Sequence, residues 1–154
     1  MISRIVIVAF LFTSLFGCTD EKGIDCSLVL CAAGDSINLE IIADGENLIS
    51  NGTYTSENII VSGNTAEEIK IQVYPDTRGG TTGLLEILSF DWKAGTYTYT
   101  VALGNDYEFD LEVTFGVTNY PCCGDRLEIR KLTSNDVFIE EYKTYASFYT
   151  IILN

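Results

Sequence analysis

The stretch YEFDLEVTFGV, residues 107–117, decides the fold class of this 154-residue chain. Aromatic and aliphatic residues occupy every second position, and the positions between them begin with Glu, Asp, Glu and Thr. Because successive side chains of a strand point to opposite faces, this pattern predicts a β-strand with one buried face and one acidic, solvated face. Residues 96–101, TYTYTV, alternate in the same way, and the LGND sequence at 103–106 predicts a hairpin turn between the two strands.

The alternation continues on both sides of this hairpin. Residues 84–90 form the preceding candidate strand, and the Lys93-Ala94-Gly95 turn predicts that residues 84–117 make a three-stranded antiparallel meander. Turn residues separate six further candidate strands, at 37–43, 58–62, 68–74, 126–132, 136–142 and 147–153. No stretch has the apolar spacing of an amphipathic helix. We therefore expect one all-β domain over residues 37–154, a single antiparallel β-sandwich of about nine strands, with a barrel-like arrangement as the alternative.

The first 17 residues have the composition of a signal peptide. Arg4 precedes an apolar run over 5–16, which is shorter than the roughly 20 residues that a membrane-spanning helix needs. The sequence Leu15-Phe16-Gly17-Cys18 ends this run and resembles a bacterial lipobox, although Phe16 is bulkier than the residue usual there. The resemblance implies cleavage before Cys18 and acylation of that cysteine, which would give lasting membrane attachment. Residues 18–36 would then hold the lipid, a tether and the entry to the domain.

The tether is short and charged, and Asp20 and Glu21 follow the cysteine closely. This arrangement resembles the export signal of the small acidic surface lipoproteins of the Bacteroidota. The resemblance implies an outer-membrane protein that its lipid holds at the cell surface, with the periplasmic face of that membrane as the alternative. Asp35-Ser36-Ile37 resembles the short O-glycosylation motif of the same bacteria, with Ser36 as the acceptor.

Composition excludes several classes of function. The chain has no histidine, so it can form neither a Ser-His-Asp triad nor a histidine-ligated metal site. Its 22 acidic and 9 basic residues give a formal charge of −13, which is the wrong sign for attraction to nucleic acid. The oxygen-rich loops at 44–47 and 105–108 lack the EF-hand pattern for calcium, and turn chemistry explains them more simply. We expect no metal and no cofactor.

Four cysteines remain once Cys18 is set aside for the lipid: Cys26, Cys31, Cys122 and Cys123. Their number is even, and disulfides form in the oxidising compartments outside the cytosol. The spacing is not that of a zinc site. Adjacent cysteines rarely bridge each other, because the small ring distorts a peptide bond that is normally trans and planar. Two pairings therefore remain, and both join residues 26 and 31 to residues 122 and 123.

Aromatic residues in loops are the best candidates for contact with a partner. Trp92 lies in the turn at 91–93, and Tyr120 precedes Pro121. Together with the anchor and the missing histidine, they suggest a lipid-anchored, non-enzymatic module that binds a protein partner or a cell-surface glycan.

Paired carboxylates offer an alternative from another class, a small carboxylate-dependent hydrolase. Candidates are Glu108, Asp110 and Glu112 on one strand face, with Glu40, Asp91, Glu140 and Glu141 elsewhere. A carboxylate on a strand face lacks the apolar pocket that raises the pKa of a general acid, so a solvated acidic face is the favoured interpretation. A structural subunit of an outer-membrane complex is the third hypothesis, and an exposed apolar patch would be its sign.

Overall fold

The computed structural model describes residues 26–27, 29–31, 36–63, 68–75, 83–143 and 147–153. Its strands are β1 (Ile37–Ala43), β2 (Glu46–Asn47), β3 (Ile59–Gly63), β4 (Lys70–Tyr74), β5 (Leu84–Leu88), β6 (Gly95–Leu103), β7 (Tyr107–Tyr120), β8 (Gly124–Thr133), β9 (Phe138–Lys143) and β10 (Ser147–Leu153). Among the residues that the structure describes, no helix is long and apolar enough to span a membrane.

The strands form two sheets that pack as a β-sandwich. Sheet A has the order β4-β5-β1-β10-β9, with the short β2 paired to β1, and sheet B has the order β3-β6-β7-β8. The pairings are antiparallel except for β1 and β10, which run parallel with Asn38 opposite Phe148. The predicted β-sandwich is confirmed, and each of the nine predicted strands is present. The described strands form two separate sheets that do not close into a barrel.

Alternating side chains build the core between the sheets. In β1, every second residue from Ile37 to Ala43 is buried, and the residues between are half-buried. In sheet B, the buried side chains of the described strands are those of Ile59, Tyr99, Val101, Leu103, Phe109, Leu111, Val113, Phe115 and Leu132. Burial of one such side chain stabilises a fold by about 1.5–3 kcal/mol, so the two apolar faces hold the sandwich together.

The predicted meander over residues 84–117 is wrong in its first strand. β6 and β7 pair as expected, with Leu103 opposite Tyr107 around the turn at 104–106. β5 instead pairs with β4 and β1, so residues 89–94 cross from sheet A to sheet B. This segment contains the buried Trp92, whose ring lies 4.6 Å from that of Phe115. Packing of the indole into the end of the core keeps the segment over the sandwich and prevents a tight hairpin.

A buried asparagine fixes the loop that follows β2. The Nδ2 atom of Asn47 donates to the carbonyl oxygen of Gly83 at 2.9 Å. Its Oδ1 atom accepts hydrogen bonds from the backbone N–H groups of Ile49 and Ser50, at 3.0 and 2.9 Å. One side chain therefore satisfies three backbone groups, two of them in the loop itself.

We expect Asn47→Ala to lower the free energy of unfolding by about 2–3 kcal/mol, because buried backbone groups would lose their partners. Urea denaturation measures the change. The matched control is Asn51→Ala, since the Asn51 side chain is exposed and bonds one backbone N–H, that of Thr53. A similar loss of stability in both variants would contradict the role assigned to Asn47.

Candidate functional site

Two disulfides join the entry segment to the turn between β7 and β8. Cys26 bonds to Cys122 with a Cα–Cα distance of 5.2 Å, and Cys31 bonds to Cys123 with a distance of 5.6 Å. The predicted linkage of residues 26 and 31 to residues 122 and 123 is confirmed, and its order is now defined. Two covalent bonds five residues apart hold the entry segment against this turn.

The β7–β8 hairpin projects beyond the rest of sheet B. Gly95, the first residue of β6, lies opposite Phe115, so among the described strands residues 116–120 pair with residues 124–128 alone. At about 3.3 Å per residue, the projecting part is roughly 17 Å long. We term residues 116–128 the arm, and the end of the sandwich from which the arm extends the stapled end.

Strand directions assign the other segments to one of two ends. Ile37, where β1 begins, lies opposite Ile87 near the end of β5, and residues 89–94 lead from there to the start of β6. These segments therefore belong to the stapled end. The opposite end, the loop end, carries the described connections 44–45, 48–58, 104–106 and 134–137.

The outer face of the arm carries a hydrogen-bond network around Glu128. The Tyr120 hydroxyl donates to Oε1 of this carboxylate, and the Thr118 hydroxyl donates to Oε2 at 2.7 Å. The Nη1 atom of Arg130 lies 3.3 Å from Oε2. Together these contacts hold the pKa of Glu128 below its ordinary value of 4.5, and the hydrogen bond from Tyr120 is the largest cause.

Arg130 crosses the base of the arm. The β7–β8 register shifts beside Phe115, which leaves Arg130 as the extra residue of a β-bulge. Its side chain passes over Gly116, where a Cβ atom would lie 2.7 Å from the guanidinium Nε. Its Nη2 atom donates to the carbonyl oxygen of Val117 at 3.2 Å and to the Thr118 hydroxyl. The absence of a side chain at Gly116 therefore allows the Arg130 guanidinium to extend from β8 to β7.

We expect Tyr120→Phe to raise the pKa of Glu128 towards 4.5, because its strongest hydrogen-bond donor would be lost. A carboxyl group whose pKa is lower in the folded state than in the unfolded state stabilises the fold at pH values above its unfolded-state pKa. This stabilisation is lost as the pH falls through the folded-state pKa. The variant should therefore be less stable than the native protein at neutral pH, with the difference vanishing in acid. An NMR titration of the Glu128 carboxyl measures the shift, with Tyr74→Phe on sheet A as the control. An unchanged titration would contradict the network.

Trp92 is a core residue and not a contact residue. Its side chain is 8% exposed, and the indole Nε1 donates to the Tyr99 hydroxyl at 2.5 Å. The expectation of a contact there is wrong, because the end of the core offers the indole both apolar rings and an acceptor. Tyr120 is 43% exposed, as the last residue of β7.

Ser36 lies directly before β1 and is half-buried. Its hydroxyl oxygen accepts a hydrogen bond from the Asn38 Nδ2 atom at 3.1 Å. The residues that carry the anchor and export predictions, Cys18, Asp20 and Glu21, lie outside the described residues.

Relatives give no further guide to the site. No protein-family model, curated protein or solved structure matches this chain.

The carboxylates of β7 occupy an open strand face. Glu108, Asp110 and Glu112 are all exposed. Asp110 accepts a hydrogen bond from the Thr100 hydroxyl at 2.6 Å, and Glu112 lies 3.8 Å from the Lys131 ammonium. Within the described part of the chain, no three His, Cys, Asp or Glu residues are grouped so that they could hold a metal ion.

The other carboxylates lie on or beside sheet A. Glu40 and Glu140 flank the buried Thr150 on the outer face of the sheet, and the Thr150 hydroxyl donates to Glu40 at 3.1 Å. Glu141, the next residue of β9, and Asp91, in the segment between β5 and β6, are both exposed. The sequence did not indicate the Glu40–Thr150–Glu140 row, because it depends on which strands are neighbours.

The loop end is built by well-defined turns. Asp44 and Gly45 have positive φ angles of 51° and 79°, as the two-residue type I′ turn between β1 and β2 requires. Near the β6–β7 turn, the Tyr54 hydroxyl donates to Asp106 at 3.1 Å. Burial, reinforced by that carboxylate, raises the pKa of Tyr54 to about 12. Both oxygen-rich loops considered for calcium are thus turns with local hydrogen-bond partners.

Charged residues are distributed unevenly between the two ends. The six Lys and Arg residues of the described part all lie in the half nearer the stapled end: Lys70, Lys93, Arg126, Arg130, Lys131 and Lys143. The described connections of the loop end carry only acidic charges, those of Asp44, Glu57, Asp106 and Asp136. Residues 76–82, which belong to a further connection, lie outside the described residues. The loop end described here is therefore acidic, whereas the stapled end mixes both signs.

Proposed function

We propose that this protein is a lipid-anchored, non-enzymatic binding module of the bacterial envelope, displayed on the outer face of the outer membrane. Its acyl chains would be attached to Cys18, at the end of the lipobox-like sequence. Its ligand is a protein with a basic surface, which the acidic loop end meets. The observation that carries the proposal is the separation of charge between the described residues of the two ends of the sandwich.

The position of the disulfides supports this orientation. The anchor precedes Cys26 by eight residues, and Cys26 is covalently held at the stapled end. The loop end, at the far side of the sandwich, then points away from the membrane. An acidic surface held there attracts a cationic partner and increases its association rate, an effect that salt weakens.

A protein partner is favoured over a glycan by the location of the aromatic side chains. Sugar-binding sites use exposed aromatic rings as stacking platforms. Trp92, the only tryptophan of the chain, is buried in the core. Trp92 also belongs to the stapled end, so the loop end has no tryptophan on which a sugar could stack.

The anchor is tested first. Cys18→Ala should yield an unprocessed precursor without acyl mass, whereas the native protein should partition into detergent and be reached by external protease on intact cells. Neutralising Asp20 and Glu21 together should reduce that access. A native mature N-terminus downstream of Cys18 without lipid would refute the anchor.

The partner is tested with charge-neutral variants of similar shape. Asp44→Asn combined with Glu57→Gln removes two exposed charges from the loop end, and asparagine tolerates the positive φ angle at position 44. The control is Asp91→Asn combined with Glu68→Gln near the stapled end. Capture of the partner from native membranes should fall several-fold in the first variant alone and weaken with salt. Equal capture by both variants would refute the assigned surface.

A further inference from the structure

Exposed apolar side chains concentrate at the stapled end. Eight large apolar side chains of the described residues are exposed, and five lie at this end: Val29, Leu30, Phe90, Val117 and Tyr120. The other three, Ile60, Tyr74 and Phe138, are scattered over the half that contains the loop end. Leu30 is 97% exposed, although it lies between two disulfide-bonded cysteines that fix its position. An apolar side chain that is held in water in this way suggests that another surface packs against it.

The anchor determines which surface is within reach. Residues 18–25 separate the proposed lipid from Cys26, and a fully extended chain of that length spans no more than about 30 Å. Cys26 and Cys31 are bonded to the tip of the arm, and Val29, Leu30 and Tyr120 each lie within two residues of a bridged cysteine, so the same short tether holds them near the anchor. The arm is therefore tied close to the membrane through a short tether.

The chemistry of the arm tip suits the boundary between lipid head groups and acyl chains. Tyrosine combines an apolar ring with a polar hydroxyl and is enriched at that boundary. Aliphatic side chains such as those of Val29 and Leu30 gain from transfer out of water. Arg126 lies on the same arm and offers a cation to lipid phosphates.

We propose that the tip of the arm, with Val29, Leu30 and Tyr120, inserts into the head-group region of the same membrane that holds the acyl chains of Cys18. This inference rests on the proposed anchor. A few apolar side chains bind a bilayer weakly on their own, but the tether makes their contact intramolecular and so raises its occupancy. Insertion sets the orientation of the sandwich, with the loop end directed outwards.

Depth-dependent quenching of tryptophan fluorescence tests the insertion. The lipoprotein with Leu30→Trp is reconstituted in phosphatidylethanolamine–phosphatidylcholine vesicles that contain dibrominated phosphatidylcholine. The matched control is Phe138→Trp, an exposed aromatic position in the other half of the sandwich. The buried Trp92 gives the same background in both. We expect the signal from position 30 to fall at least about twofold and that from position 138 to stay unchanged, since bromine quenches only indoles at membrane depth.

A second preparation separates this inference from the anchor proposal. Cys18 is the one cysteine outside the two disulfides, so the chain from residue 18 can be coupled through its thiol to a maleimide lipid. Quenching at position 30 in this preparation supports insertion even if the native protein proves not to be acylated. Equal or absent quenching at both positions overturns the inference. So does a protein adduct formed in cells by a photo-crosslinker at position 30, since it would show that a protein covers the tip.

Discussion

Removal of both disulfides, by replacing all four cysteines with serine, is expected to destabilise the protein by about 5 kcal/mol or somewhat more. The bridges close loops with sequence separations of 96 and 92 residues. Without the bridges, the unfolded chain has a higher conformational entropy, which favours unfolding. Removal of either bridge alone should cost only about 2 kcal/mol, because the other still closes nearly the same loop. The two losses are therefore far from additive.

Guanidinium denaturation of three variants measures this pattern. One lacks Cys26 and Cys122, the second lacks Cys31 and Cys123, and the third lacks all four cysteines. Native protein in a reducing agent should match the third variant. If a variant that lacks one bridge lost as much stability as the variant that lacks all four cysteines, the shared-loop explanation would be contradicted.

Replacement of Trp92 by alanine is expected to cost about 3–5 kcal/mol. The indole packs against Phe115 with ring centroids 4.6 Å apart, and its removal leaves a cavity at the end of the core. It also removes the donor that the Tyr99 hydroxyl accepts from. Because the variant lacks the only tryptophan, far-UV circular dichroism follows its unfolding in urea.

The control is Phe90→Ala, two residues away in the same segment. The Phe90 side chain is 87% exposed, and its ring contacts the Lys70 ammonium at 5.4 Å. Loss of this contact should cost less than about 1 kcal/mol. If the two alanine variants were equally destabilised, the burial of Trp92 would not be the cause.

Alternation predicted where strands lie but not which strands are neighbours. The ranges 37–43 and 147–153 coincide with β1 and β10, because apolar residues recur at every second position of both, from Ile37 in β1 and with Tyr149, Ile151 and Leu153 in β10. Apolar residues at every second position indicate that one face of a strand is buried, but they do not indicate which strand lies next to it in the sheet. The placement of β5 in sheet A and the parallel pairing of β1 with β10 could not follow from it.

The candidate site was predicted in part for similar reasons. The chemistry of adjacent cysteines excluded one pairing, but no local feature distinguished the other two. The predicted strand 107–117 ended early, because residues 118–120 leave the core and no longer need apolar side chains on the inner face. The arm includes those residues, so the alternation that revealed the strand could not reveal the arm.

The interior position of β10 in sheet A has a consequence for the order of folding. β10 lies between β1 and β9 in sheet A and pairs with β1 across about 110 residues of sequence, as Asn38 and Phe148 show. Contacts of such high sequence separation make folding slow, on the order of milliseconds to seconds. Because the ribosome releases the N-terminal residues first, sheet A cannot be completed until residues 147–153 have left the ribosome. Premature termination before this strand would also leave β9 without β10, the strand with which it pairs, so a shortened product should be degraded rather than accumulate as a smaller sandwich.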